Sequence, residues 1–158
     1  MSKSRWWALA GFLLAAFVVA GLGGAATSSS VRTWYPELAK PDWTPPSWVF
    51  GPAWTALYIM MSVAGWRIWL RRDEPGARLT LKLYAGQLAA NALWSVLFFG
   101  LRRPDLALID IAVLWTLLVV LQVRLCRQDR LAGALWLPYL AWVSFASALN
   151  ASVWWLNR

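Results

Sequence analysis

Five stretches of this chain are each long and apolar enough to cross a lipid bilayer, and between them they leave almost no sequence over. A spanning helix needs about 20 mostly apolar residues at ~1.5 Å of rise each. The stretches run from Trp6 to Ala26, Trp48 to Leu70, Leu79 to Leu101, Leu106 to Cys126 and Leu131 to Leu156, separated by short segments rich in charge, proline or serine. Of the 158 residues, 60% are hydrophobic and 14% charged, which does not suit a domain dissolved in water. No long repeat and no second compositional regime occurs, so residues 1–158 read as one domain. The expected fold class is an all-α integral membrane protein, a single bundle of five transmembrane helices.

The first stretch follows Lys3 and Arg5 and ends in Gly23-Gly24-Ala25-Ala26, imitating a secretory signal with a small-residue cleavage site. A signal core is about 7–15 residues, so this longer run is expected to be a retained helix. The net charge of +8 is accounted for by topology. Ten basic residues lie at the N-terminus and in the second and fourth loops (Lys3, Arg5, Arg67, Arg71, Arg72, Arg78, Lys82, Arg124, Arg127, Arg130), against five on the other side (Arg32, Lys40, Arg102, Arg103, Arg158). Positive residues stay in the cytoplasm, so the N-terminus is expected inside and the C-terminus outside, with no need for a nucleic-acid partner. A bacterial cell membrane is the expected location.

The chain has no histidine, one cysteine and fourteen tryptophans. Trp6, Trp7, Trp66, Trp69, Trp154 and Trp155 stand at span ends, where indoles rest at head-group depth. Trp54, Trp94, Trp115, Trp136 and Trp142 stand within spans. Among acyl chains an indole N–H has no acceptor, so several of these are expected to face a polar interior. The first loop, from Trp34 to Trp48, carries Pro36, Pro41, Pro45 and Pro46 among three tryptophans and Tyr35, too stiff for a long helix and too apolar to wave in water. It is expected either to fold down as a lid or to lie on the head groups.

Polar residues recur on single faces of the later spans. Gln87, Asn91 and Ser95 follow i, i+4, i+8, and Tyr139, Trp142, Ala146 and Asn150 follow i, i+3, i+7, i+11. Asp110 is the only acid well inside a span, and an ionised aspartate at the bilayer centre costs ~2.5–3.5 kcal/mol, so it is expected to face inward. Amide stripes also serve as glue between helices. Counted from the outer span ends, Trp54, Asn91, Ser95, Asp110, Ala146, Ser147 and Asn150 share the outer half with the proline-rich loop, and Trp142 lies near the middle. Together they describe a pocket for a large, flat, mainly apolar molecule with a few polar edges. Without histidine, and with Cys126 at the opposite face, the pocket lacks the usual axial ligands of haem iron, and no metal site is expected.

At these residues the chain resembles the tryptophan-rich sensory protein / translocator protein family, also called peripheral benzodiazepine receptors. The likeness spans Trp34 to Asn157. It rests on Trp34-Tyr35, Lys40-Pro41-Asp42-Trp43-Thr44-Pro45-Pro46, Pro52-Ala53-Trp54-Thr55-Ala56-Leu57-Tyr58, Asn91-Ala92-Leu93-Trp94-Ser95 with Phe98-Phe99-Gly100, and Pro138-Tyr139-Leu140-Ala141-Trp142 with Phe145-Ala146 and Leu149-Asn150. The resemblance implies a five-helix membrane bundle, commonly a homodimer, that binds porphyrins such as protoporphyrin IX and, in animal members, cholesterol and benzodiazepine-type ligands. It places the pocket on Tyr35, Pro45, Trp54, Gln87, Asn91, Asp110, Trp142 and Ala146. No cofactor is implied beyond porphyrin as ligand. Trp54 and Trp142 match the tryptophans linked in bacterial relatives with light- and oxygen-dependent breakdown of porphyrin. The end of the fifth span lacks the tyrosine of the proposed cholesterol pattern, so tight sterol binding is not expected. The expected function is a membrane receptor or sensor for tetrapyrroles with a role in their transport or regulation. The alternatives are porphyrin photodegradation, lipid translocation and a membrane scaffold.

Overall fold

The structure, a computed structural model, describes residues 3–158. It contains five α-helices: α1 (Lys3–Thr33), α2 (Phe50–Leu70), α3 (Ala77–Ser95), α4 (Pro104–Gln128) and α5 (Arg130–Leu156). No strand occurs among the described residues. Around the molecule α1, α2, α5, α4 and α3 each pack on the next, and α3 packs back on α1.

Two helices depart from expectation. α1 continues past Ala26 through Ser28-Ser29-Ser30 to Thr33, because hydroxyls in this polar run bond back to carbonyls one turn earlier. Thr27 Oγ1 donates to Gly23 O at 2.6 Å and Thr33 Oγ1 to Ser29 O at 2.9 Å. The third stretch is helical where expected but is not uniformly apolar. Four helical segments are apolar enough to cross a membrane (Ser4–Thr33, Ser47–Leu70, Pro104–Gln128 and Arg130–Leu156), and α3 is not among them. Arg78, Lys82, Gln87 and Asn91 interrupt it. Its final turn then widens into a π-turn at Val96–Gly100, closed by Leu101 N–H to Val96 O at 2.8 Å.

Two layers of core result. The larger runs through the middle of the molecule and includes Met61, Leu118, Leu121, Trp136 and Tyr139, all 0% exposed. The smaller, at the end where the first loop sits, gathers Tyr35, Phe98, Ala107, Leu149 and Val153. The opposite end carries the basic loops and is fastened by polar clasps. Asp129 caps α5, accepting the Ala132 N–H at 3.0 Å, and pairs with Arg67 at 2.8 Å and Arg71 at 3.4 Å. Burial pushes the Asp129 carboxyl up, but the hydrogen bonds from Arg67 and Ala132 and the two guanidinium charges outweigh it and hold the group below the ordinary aspartate range. A second clasp joins Arg124 to Thr80 Oγ1 (2.9 Å) and to the carbonyl of Gly76 (2.8 Å), whose φ of 80° opens the turn into α3.

Tryptophans mark both ends. Trp6 stacks on Trp66 at 6.0 Å, and Trp66 Nε1 donates to Arg5 O at 2.9 Å. At the loop end Arg158 lies 3.2 Å from the ring centre of Trp155. Of the tryptophans within spans, Trp115 faces outward, 42% exposed, and its N–H is satisfied by Ser144 Oγ of α5 at 2.8 Å.

Candidate functional site

At the loop end the helices enclose a cavity of about 560 Å³. α1 contributes a wall of small residues (Ala20, Gly21, Gly23, Gly24, Thr27) flanked by Phe17 and Val31. α2 contributes Phe50, Gly51, Trp54, Thr55 and Tyr58, and α5 contributes Trp142, Ala146, Leu149 and Asn150. Trp94, Ser95, Phe98 and Phe99 come from the end of α3 and its π-turn, and Tyr35 and Ser47 from the loop. α4 supplies no lining residue, and no charged side chain lines the cavity among the described residues. Such a chamber selects for apolar surface and contacts it mostly through rings.

The rings form two clusters on facing walls. Trp54 lies 5.5 Å from Tyr58, 6.2 Å from Tyr139 and 6.4 Å from Trp142, the last at an interplanar angle of 82°. Phe50 meets Trp142 edge-on at 5.9 Å. On the opposite wall Trp94 stacks on Phe98 at 5.2 Å, and Phe98 meets Phe99 at 4.8 Å. The π-turn makes this grouping possible, since one extra residue per turn places Trp94, Phe98 and Phe99 side by side. Trp94 Nε1 donates to Asn150 Oδ1 at 3.0 Å, and Asn150 Nδ2 donates to Pro104 O at 2.9 Å, so that amide is held from both ends. The indole N–H groups of Trp54 and Trp142, by contrast, make no hydrogen bond among the described residues.

The first loop folds over this end in two short turns, Tyr35–Glu37 and Ser47–Val49. Lys40 Nζ donates to the carbonyls of Tyr35 (2.7 Å) and Leu38 (2.8 Å) and lies 5.0 Å from the centre of the Tyr35 ring. Asn157, beyond α5, brackets Ala39, accepting its N–H at 2.9 Å and donating to its carbonyl at 2.8 Å. Trp43 rests edge-on against Phe145 at 5.6 Å. Burial pushes the Tyr35 phenol above its ordinary value, so it is neutral at any physiological pH.

Six of the residues picked out from the sequence for the pocket line the cavity: Tyr35, Trp54, Ser95, Trp142, Ala146 and Asn150. Five do not: Pro45, Gln87, Asn91, Asp110 and Ser147, whose hydroxyl bonds to Val143 O of its own helix at 2.7 Å. Gln87 and Asn91 belong to a buried relay beneath the floor. Tyr58 OH donates to Asn91 Oδ1 (2.7 Å), Asn91 Nδ2 donates to Tyr139 OH (2.8 Å), and Tyr139 OH donates to Gln87 Oε1 (2.9 Å). Gln87 Nε2 ends the relay 4.0 Å from Met61 Sδ. These amides face neighbouring helices, so the i, i+4, i+8 stripe splits, two members going to the core and Ser95 to the cavity. Asp110 is half-buried on α4, the helix with no share in the lining, and its Oδ2 is buried without a hydrogen-bond partner. Pro45 is half-buried in the loop outside the lining. The sequence reading missed the glycine wall of α1, which resembled a cleavage site, and the role of Asn157 in tethering the loop.

An all-helical chain with four membrane-length apolar helices and an aromatic chamber at one end defines a multi-pass membrane protein built around an apolar site. The chain belongs to the TspO/MBR family, whose sequence model matches residues 12–156. It is 40% identical over 145 residues to the tryptophan-rich protein TspO of Archaeoglobus fulgidus, covering 92% of this chain and 94% of that protein. It is 40% identical over 148 residues to protein CrtK of Rhodobacter capsulatus, covering 92% of each. The human translocator protein is 36% identical over 151 residues, covering 94% of this chain and 89% of its own length.

Proposed function

We propose that the chain is a receptor or sensor for flat, apolar tetrapyrroles, with protoporphyrin IX as the model ligand, and that it serves their transport or regulation. The observation that carries this reading is the cavity, about 560 Å³ and walled by indole and phenyl rings without a charged group. Its size falls in the range of about 300–1,000 Å³ that ligand sites occupy. Rings at right angles, such as Trp54 and Trp142, offer both faces and edges to a planar ligand. The loop tethered by Lys40 and Asn157 acts as the lid. α3, tucked between α1 and α4, makes the fifth crossing, so the N-terminus lies in the cytoplasm and the lid outside, in a bacterial cell membrane. The bare apolar face of α1, little of which is buried against the other helices, meets lipid or a second copy in a homodimer.

Titration of the purified protein with protoporphyrin IX tests this. Tryptophan fluorescence should be quenched saturably, and Trp142→Ala should weaken binding about tenfold or more, the ~1.4 kcal/mol or greater expected on losing a large aromatic contact. Quenching that never saturates, or that ignores the substitution, rejects the reading.

A second reading is favoured by the free indole N–H groups of Trp54 and Trp142 on one chamber wall. A photoexcited porphyrin held there would take an electron from one of these indoles and combine, as its radical anion, with molecular oxygen; the adduct would return the electron to the indole, so that the net change is addition of oxygen to the porphyrin. Illumination in air should bleach bound porphyrin faster than porphyrin in empty detergent, and Trp54→Phe with Trp142→Phe should remove that difference at saturating ligand.

A further inference from the structure

Six residues that line the cavity are also exposed at the surface, and they form two edges. Phe17, Gly21 and Gly24 follow i, i+4, i+7 along α1, while Ser47, Gly51 and Thr55 follow i, i+4, i+8 into α2. Each row occupies one face of its helix, and both rows border the same chamber. Nothing lies within 4 Å of where a Cβ would stand at Gly21, Gly24 or Gly51, so the space between the edges is open. Toward the basic end it closes, with the Phe17 and Tyr58 rings 6.4 Å apart and Ser62 Oγ donating to Phe12 O at 3.3 Å.

The other seams around the chamber are shut. Between α1 and α3, a Cβ at Gly23 would come within 3.1 Å of Ser95 Oγ, and Ser30 Oγ donates to Phe99 O at 2.6 Å. Between α2 and α5, Trp142 packs on both Trp54 and Phe50. The loop above is pinned by Asn157 and by Trp43 on Phe145.

We propose that the ligand enters and leaves sideways, from the acyl chains, through the slot between α1 and α2 rather than past the loop. This rests on the cavity being the ligand site proposed above. The edges carry no charge, and the one hydroxyl facing the slot from within α2, Thr55 Oγ1, is already bonded to Gly51 O at 2.9 Å. A planar apolar molecule dissolved in the bilayer therefore meets an opening as apolar as its solvent, while a charged water-soluble analogue meets a closed loop.

The test fills the slot without touching the chamber's rings. Gly21→Leu with Gly51→Leu is accommodated because both positions face open space. Protein in vesicles preloaded with protoporphyrin IX should associate and release it about tenfold more slowly in this variant; because Gly21 and Gly51 also line the chamber, Kd is measured alongside, and weakened binding alone would speed release rather than slow it. Unchanged rates in the variant overturn the proposal. A second readout needs no porphyrin. In vesicles of dibrominated-acyl phosphatidylcholine the Trp54 contribution, taken as parent minus Trp54→Phe, should be quenched in the parent and protected in the double-leucine variant. Absence of porphyrin binding by the parent would retire the receptor reading alone, and a Trp54 component insensitive to brominated lipid would overturn the slot.

Discussion

The two ends of this molecule solve opposite problems with the same five helices. At the basic end the helices touch closely: a Cβ at Gly133 would sit 2.5 Å from Cys126 Sγ and 3.0 Å from Cys126 Cα, and one at Gly65 would sit 2.9 Å from the Phe12 and Tyr84 rings. At the loop end Gly21, Gly24 and Gly51 face empty space. Glycine removes side-chain bulk in both places, but in one it lets helices meet and in the other it leaves room for a third body. Polar groups divide the same way. Asp129, Arg67, Arg124 and Thr80 are spent on clasps, and the relay through Asn91 and Gln87 seals the middle, while at the loop end Lys40, Asn150 and Asn157 hold the loop and one wall and leave the chamber lined mostly by rings and small residues.

The largest effect that sharpens this contrast comes from adding one methyl group at each end. Gly133→Ala should cost about 3 kcal/mol, because Cys126 backbone atoms cannot yield, whereas Gly24→Ala should change stability by less than about 0.5 kcal/mol. Thermal unfolding in detergent measures both, and equal losses would break the distinction. Asp129→Ala should follow at about 2–3 kcal/mol, from the lost helix cap and the half-buried Arg67 left unpaired, while protoporphyrin IX affinity stays unchanged. Tyr139→Phe should cost about 1–2 kcal/mol by stranding Asn91 Nδ2 and Gln87 Oε1, read in the same melts. The smallest effect is a pH dependence. Since the folded Asp129 carboxyl sits below its unfolded value, its contribution is complete above about pH 4 and fades as acidification passes that point toward the lower folded value. Asp129→Asn should flatten that acid limb, and an acid limb identical to the parent's would deny Asp129 this role.

Length and hydropathy made the helices legible, because a bilayer imposes both at once. The exceptions have local causes. Thr27 and Thr33 extend α1 by bonding their own helix, which composition alone reads as a break. Within the site, Trp54, Trp142 and Ala146 were legible from depth and helical face. Gln87 and Asn91 were not, because a polar stripe looks the same whether it meets a cavity or a neighbouring tyrosine, and only the positions of Tyr58 and Tyr139 decide. Asp110 illustrates the same limit from α4, a helix that turns one face, from Ala107 to Leu125, to the core and no residue to the chamber. The π-turn at Val96–Gly100 had no signature in the periodicity, yet it sets the ring cluster of the far wall.

The central claim is that the loop-end chamber, and no other surface, holds the flat ligand. Ala146→Trp places an indole inside the chamber without disturbing the basic-end clasps, so equilibrium binding of protoporphyrin IX to this variant in lipid nanodiscs is the most direct measurement. The account predicts one saturable site per chain in the parent and its loss in Ala146→Trp at an unaltered melting temperature. Undiminished binding by a folded Ala146→Trp protein would contradict it.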